Sequence, residues 1–263
     1  NNFQQLRREG RKGLMPYLTA GDPDLEATAG MIEAIDAAGA TTIEIGFPFS
    51  DPIADGPTIQ ASMTYALDHG IRIAGIFQMI RSIRERIEAG LVAMISFSMV
   101  QRYGVERFCE DAAGAGFDGL IIPDLAVEAV DSVRPAATAS GLTLSLLVSP
   151  TTGEERSKTI ASACSGFVYV LSRAGITGER RTLPAELPDR LEKLRTVTDL
   201  PLAVGFGIAD ADQVRQVVSV ADAAIVGSAL VRRVMEHRQS PAEELAAATG
   251  DFVKDLAKGL QTG

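Results

Sequence analysis

The stretch Thr41-Thr42-Ile43-Glu44-Ile45-Gly46-Phe47-Pro48-Phe49-Ser50-Asp51-Pro52-Ile53-Ala54-Asp55-Gly56-Pro57 runs from a β-branched segment into a loop rich in glycine and proline. Residues 41–45 favour a strand, and strand alternation puts Thr42, Glu44 and Gly46 on one face. An acid is therefore aimed into the inner face of a strand, close to its carboxyl end. Burying a carboxylate without a partner is costly, so either its pKa rises or a hydrogen-bonding neighbour offsets the burial. A raised pKa suits proton transfer near neutrality. Pro48, Pro52 and Pro57 fix φ and hold the following loop in one conformation, which places Asp55. Asp51, followed by a proline, reads more as turn chemistry.

On either side of this stretch the same unit recurs. Before it, residues 14–19 read as a strand ending in Gly21-Asp22-Pro23, followed by an alanine-rich helix to about residue 38. After it come two helices, over 58–67 and 74–88, and a third strand over 91–97. A helix over 105–115 leads to a fourth strand over 118–122, which ends in Pro123-Asp124. Strands five to eight are expected over 142–148, 167–171, 202–204 and 223–226. The helices among them span 154–163 and reach to about 196, and the last two start near 229 and 242. The polar, basic residues up to about 12 read as an initial helix or arm. Each strand is a short apolar run, as a sheet buried on both faces requires. Eight strand–helix units without a linker predict an α/β fold in one domain over residues 1–263. The expected architecture is a (β/α)8 TIM barrel with an extra N-terminal helix and extra helices after strands two and eight. An open doubly wound sheet is the runner-up, but no glycine fingerprint follows the first strand.

The composition narrows the function. A net charge of -9 argues against a nucleic-acid surface. No apolar run approaches the ~20 residues of a membrane helix, and no secretory signal or lipidation motif is expected. The two cysteines, Cys109 and Cys164, lack metal-ligand spacing and fit a reducing cytoplasm. His69 and His237 read as helix-terminal or solvated, which disfavours histidine triads and histidine metal sites and leaves carboxylates to carry protons.

In such barrels the reactive groups sit at the carboxyl ends of the strands. The unusual residues of this chain fall there: Asp22, Glu44 with Asp55, Asp124, the 173–186 loop, Gly205-Phe206-Gly207 and Gly227-Ser228. Glycines after strands seven and eight, with Ser228 opening a short helix, present backbone N–H groups and a helix amino end to an anion, for which phosphate is the obvious guest. Gly175 and Gly178 flank Thr177 in a segment that reads as a lid able to bring Thr177 toward the carboxylates.

Taken together, these pieces closely resemble one family over essentially the whole chain. They are Leu18-Thr19-Ala20-Gly21-Asp22-Pro23, the Glu44–Gln60 run, Arg102-Tyr103-Gly104, Pro123-Asp124-Leu125, Gly175-Ile176-Thr177-Gly178, Gly205-Phe206-Gly207-Ile208 and Gly227-Ser228-Ala229. The family is that of the tryptophan synthase α subunits, the indole-3-glycerol phosphate lyases. The resemblance implies retro-aldol cleavage to indole and glyceraldehyde 3-phosphate, with no metal or organic cofactor. It implies an α2β2 heterotetramer in which a β subunit receives indole through a tunnel. Glu44 matches the general acid/base and Asp55 the carboxylate that pairs with the indole N–H. Gly178, Gly207, Gly227 and Ser228 match the phosphate site; Tyr17, Met94, Tyr169, Phe206 and Ile225 match the indole pocket. Thr177 would close onto Asp55.

Two segments depart from the family's pattern. Ser96-Phe97-Ser98-Met99 stands where an aromatic followed by Asn-Pro is usual, and Asp124-Leu125-Ala126 where Asp-Leu-Pro is common. In the family both lie toward the β subunit, so a free-standing lyase with weakened β coupling is one alternative. A phosphosugar isomerase or a non-catalytic allosteric partner barrel are others.

Overall fold

The computed structural model describes residues 6, 8–51, 56–172, 183–205 and 207–261. Among them the strands are β1 Gly13–Thr19, β2 Thr42–Gly46, β3 Gly90–Met94, β4 Gly119–Ile121 and β5 Thr143–Ser145, followed by β6 Leu147–Val148, β7 Val168–Leu171, β8 Leu202–Gly205 and β9 Ala223–Val226. Every pairing is parallel, in the order β5-β4-β3-β2-β1-β9-β8-β7-β6. The two ends of that series are consecutive in the chain, separated only by Leu146. The predicted fifth strand is thus one bent strand in two pieces. Its first piece pairs with β4 and its second with β7, and the Tyr169 N–H donates to the Leu146 carbonyl at 3.1 Å. The bend brings the sheet nearly to a closed barrel, the expected (β/α)8 architecture.

Alternation along the strands separates two apolar faces. Leu14, Leu18, Ile43, Ile45, Val168 and Val204 join the large core between sheet and helices. Met15, Val92, Ile121, Tyr169, Ala203, Ala223 and Ile225 pack together inside the barrel. Leu6 joins that inner cluster, and Leu6 and Arg8 are helical, in line with the expected N-terminal helix; residues 1–5 and 7 lie outside the described residues.

The helices are α1 Leu25–Ala37, α2 Pro57–Asp68, α3 Ile73–Ile83, α4 Phe97–Tyr103, α5 Val105–Ala115, α6 Arg134–Ala139, α7 Glu154–Ala163, α8 Leu187–Arg195, α9 Ala211–Val218, α10 Ser228–Glu236 and α11 Ala242–Ala257. The paired helices expected after the second and eighth barrel strands are present as α2 with α3 and α10 with α11. The third strand is shorter than expected. It ends at Met94, and Phe97 begins α4 because the Ser96 side chain accepts from the Ser98 N–H as an N-cap.

Asp24 caps α1 in the same manner, its Oδ1 accepting the Ala27 N–H at 2.8 Å. Asp24→Ala leaves that N–H without its partner and is expected to lower stability by about 1 kcal/mol. The check is a lower urea midpoint at unchanged slope.

The end of β2 is pinned from outside the barrel. Phe47, 1% exposed, lies 5.8, 6.0 and 5.9 Å from the ring centres of Phe77, Phe108 and Phe117. Such tilted and edge-on contacts anchor large rings in one place. Glu44, three residues earlier on a hydrogen-bonded strand, inherits that rigidity.

Candidate active site

Glu44 sits in β2 with Tyr17 of β1 and Val92 of β3 as its register partners. It is fully buried, and neither carboxylate oxygen has a hydrogen-bond partner among the described residues. Burial pushes its pKa well above the usual carboxylate range. A buried acceptor left open in this manner costs stability, and such costs are tolerated where chemistry uses the group. A carboxyl group whose acid form is favoured by burial can give a proton and take one back.

Tyr17, Met94, Tyr169 and Ile225 all fall on the inner face of the barrel, Tyr17, Tyr169 and Ile225 buried and Met94 partly so. Two glycines that sequence reading left out of the pocket make room for the tyrosines. A Cβ on Gly46 would stand 2.1 Å from the Tyr17 hydroxyl, and one on Gly205 would stand 3.2 Å from the Tyr169 hydroxyl. Each ring lies across a glycine near the carboxyl end of the next strand. Strand side chains lean along the strand direction, so a tyrosine two residues before the end of one strand reaches over the end of its neighbour. A glycine closing a buried parallel strand was the available signal.

Gly207 has φ +75, a left-handed conformation that favours glycine. Gly227 is the N-cap of α10 and Ser228, buried, its first residue. The structure therefore brings Glu44, Tyr17, Met94, Tyr169, Ile225, Gly207, Gly227 and Ser228 to one barrel and its strand ends. Asp55, Thr177, Gly178 and Phe206 lie outside the described residues.

Of the other residues singled out at strand ends, Asp124 has a local partner. Its Oδ2 accepts the Ser96 hydroxyl at 2.7 Å and its Oδ1 the Phe97 N–H at 2.7 Å, so it supports the start of α4. Asp22 is held by Arg238 and Ser62. Both histidines terminate helices, His69 as the C-cap of α2 and His237 as that of α10. Cys109 and Cys164 are free thiols, each pushed up to about 11 by burial. Among the described residues no three His, Cys, Asp or Glu side chains are grouped as a metal site, and no helix is long and apolar enough to cross a membrane.

A family model described as Tryptophan synthase alpha chain matches residues 3–260. The chain belongs to the tryptophan synthase alpha chain family. It is 44% identical over 260 residues to the tryptophan synthase alpha chain of Chloroflexus aggregans, covering 98% of this chain and 96% of that one. It is 45% identical over 257 residues to the alpha chain of a Synechococcus strain, covering 97% and 94%. Among solved structures, one of Mycobacterium tuberculosis tryptophan synthase superposes with a TM-score of 0.89 at 35% identity, covering 100% of this chain and 97% of that one. A mutant alpha subunit from Pyrococcus furiosus superposes at 0.84 with 34% identity, covering 94% and 98%. The barrel described above is thus shared with solved tryptophan synthase alpha subunits.

Proposed function

We propose that this chain is the lyase subunit of tryptophan synthase. It cleaves indole-3-glycerol phosphate to indole and glyceraldehyde 3-phosphate in tryptophan biosynthesis and acts with a β subunit in an α2β2 assembly. The observation that carries the reading is the Glu44 carboxyl group, fully buried at the barrel's inner face with both oxygens unpartnered among the described residues. The family's alpha chains, at 44–45% identity over nearly the whole chain, support it and do not favour a free-standing lyase. We place the reaction in the cytoplasm.

The chemistry follows from the protonation state of Glu44. In its acid form it protonates the indole ring carbon that bears the glycerol side chain, which makes the ring cationic. The resulting carboxylate takes the proton from the adjacent side-chain hydroxyl. As the carbonyl forms, the carbon–carbon bond breaks and its electron pair returns to the ring. Glu44 ends as it began, protonated. Asp55 receives the indole N–H and stabilises the cationic ring by a charge-assisted hydrogen bond. Tyr17, Met94, Tyr169, Phe206 and Ile225 enclose the indole. Gly178, Gly207, Gly227 and Ser228 hold the phosphate, with the amino end of α10 favouring its charge. Thr177 closes onto Asp55 and excludes water.

The test is indole release from indole-3-glycerol phosphate by the purified chain, with and without a tryptophan synthase β subunit, beside Asp55→Asn. Release that depends on Asp55 and rises with the β subunit is expected. Release unaffected by the partner would overturn the coupled assembly, and no release under either condition would overturn the lyase.

A further inference from the structure

Arg238 lies two residues beyond the end of α10 and reaches Asp22 in the loop after β1. Its Nε donates to Asp22 Oδ1 at 2.8 Å and its Nη2 to Asp22 Oδ2 at 2.8 Å, a two-pronged pair. The Asp22 side chain is 1% exposed and that of Arg238 17%. The Ser62 hydroxyl of α2 donates to the same carboxylate, Oδ2, at 2.5 Å. The guanidinium also lies 3.9 Å from the centre of the Tyr65 ring, which stacks on His69 at 4.0 Å. One side chain thus ties together the loop after β1, helix α2 and the end of α10.

The loop that carries Asp22 is itself fixed beside Glu44. The Ala20 N–H donates to the Gly46 carbonyl at 2.9 Å, and the Gly21 N–H to Thr28 Oγ1 at 3.0 Å. On the other side of the clamp, α10 packs with α2 through Val231, Ile59 and Met63, with Tyr17 beneath them. A nine-residue helix is about 13 Å long and stiff, so its two ends move together. A buried ion pair adds little stability over an apolar pair of similar shape, but its two-pronged geometry admits one arrangement.

We propose that Arg238 is a positioning residue for the reaction: by clamping Asp22, to which Ser62 of α2 also donates, it sets where the amino end of α10, at Gly227 and Ser228, stands relative to Glu44 and Tyr17. This rests on the lyase reading above, in which that helix end receives the substrate's phosphate. Arg238 touches no reacting atom. It decides whether the phosphate and the acid are the right distance apart for one substrate.

Two ligands separate this role from general support of the fold. Glycerol 3-phosphate carries the phosphate end of the substrate, and indole-3-propanol carries the ring without phosphate. Arg238→Met keeps an apolar chain beside Tyr65 and removes the clamp, whereas Arg238→Lys keeps the charge but cannot bridge both oxygens. In the full chain, Arg238→Met is expected to weaken glycerol 3-phosphate binding about tenfold and raise the KM for indole-3-glycerol phosphate in step, while indole-3-propanol binding changes less than about twofold. Arg238→Lys is expected to fall between, and it supplies the measurement if Arg238→Met does not fold. Unchanged glycerol 3-phosphate binding in a folded variant, or equal weakening of both ligands, would overturn the clamp. An inactive parent chain would overturn the lyase reading and the clamp with it; an active parent with unaffected variants would overturn the clamp alone.

Discussion

Glu44→Gln is expected to slow indole release by roughly 10³-fold while leaving the chain folded. Glutamine has the same shape but can neither give the proton that makes the indole ring a leaving group nor take the one from the hydroxyl. The loss should appear in kcat and kcat/KM alike, because the proton transfers belong to the transition state. The stability consequence has a definite sign. The folded-state pKa of Glu44 is raised above its ordinary value of 4.5 by burial. The folded chain therefore holds that proton more tightly than the unfolded chain does. The contribution is fully present below the unfolded pKa and is lost as pH rises through the folded one. Glutamine cannot ionise and shows no such loss. The variant and parent should match in melting temperature near about pH 4, and the variant should gain on the parent at alkaline pH. A variant that falls behind the parent as pH rises would show that Glu44 is not held as a buried acid. For the parent, activity should decline on the alkaline side as Glu44 loses its proton, with an apparent pKa above the usual carboxylate range.

Gly46→Ala carries the second large effect, although it adds one methyl group. That methyl would stand 2.1 Å from the Tyr17 hydroxyl and 2.5 Å from the ring carbon bearing it. Tyr17 is 4% exposed and packed with Ile59, Met63 and Val231, so it has little room to retreat. The expected cost is about 1–3 kcal/mol of stability from overpacking. Displacing the ring beside Glu44 is expected to lower kcat/KM on the order of 10²-fold. In a Tyr17→Ala background the same Gly46→Ala change should cost little further stability, because the two side chains compete for one volume. Calorimetry and steady-state kinetics on the four proteins check this. Additive losses would mean that Gly46 and Tyr17 do not meet.

How far the sequence could be read depends on how local each cause is. The strand Ala223–Val226 and the helices Val105–Ala115 and Glu154–Ala163 are found at their expected bounds. Their limits are set by neighbouring glycines, turn residues and uninterrupted apolar or helical runs. The third strand ends early because Ser96 caps α4 with the help of Asp124, 28 residues away in sequence. The fifth strand divides at Leu146 because the barrel must turn to meet β7, a demand that no local pattern carries.

The site divides along the same line. Strand alternation alone aimed Glu44 inward, and the run of glycines and prolines after it marked the end of the strand as unusual. Glycine after each of the last two strands points to an anion-binding end, and an acidic chain with two histidines points to carboxylates as the proton carriers. Those readings needed only the period of a strand, the constraints on φ and the charges of side chains. The tertiary structure decided that Glu44 is buried without a partner among the described residues, since that depends on what every neighbouring strand places opposite it. It also decided that Gly46 serves the Tyr17 ring, and that Asp22 meets Arg238, 216 residues along the chain. Burial and pairing are properties of surroundings, and in a closed barrel the surroundings of each strand are assembled from the whole chain.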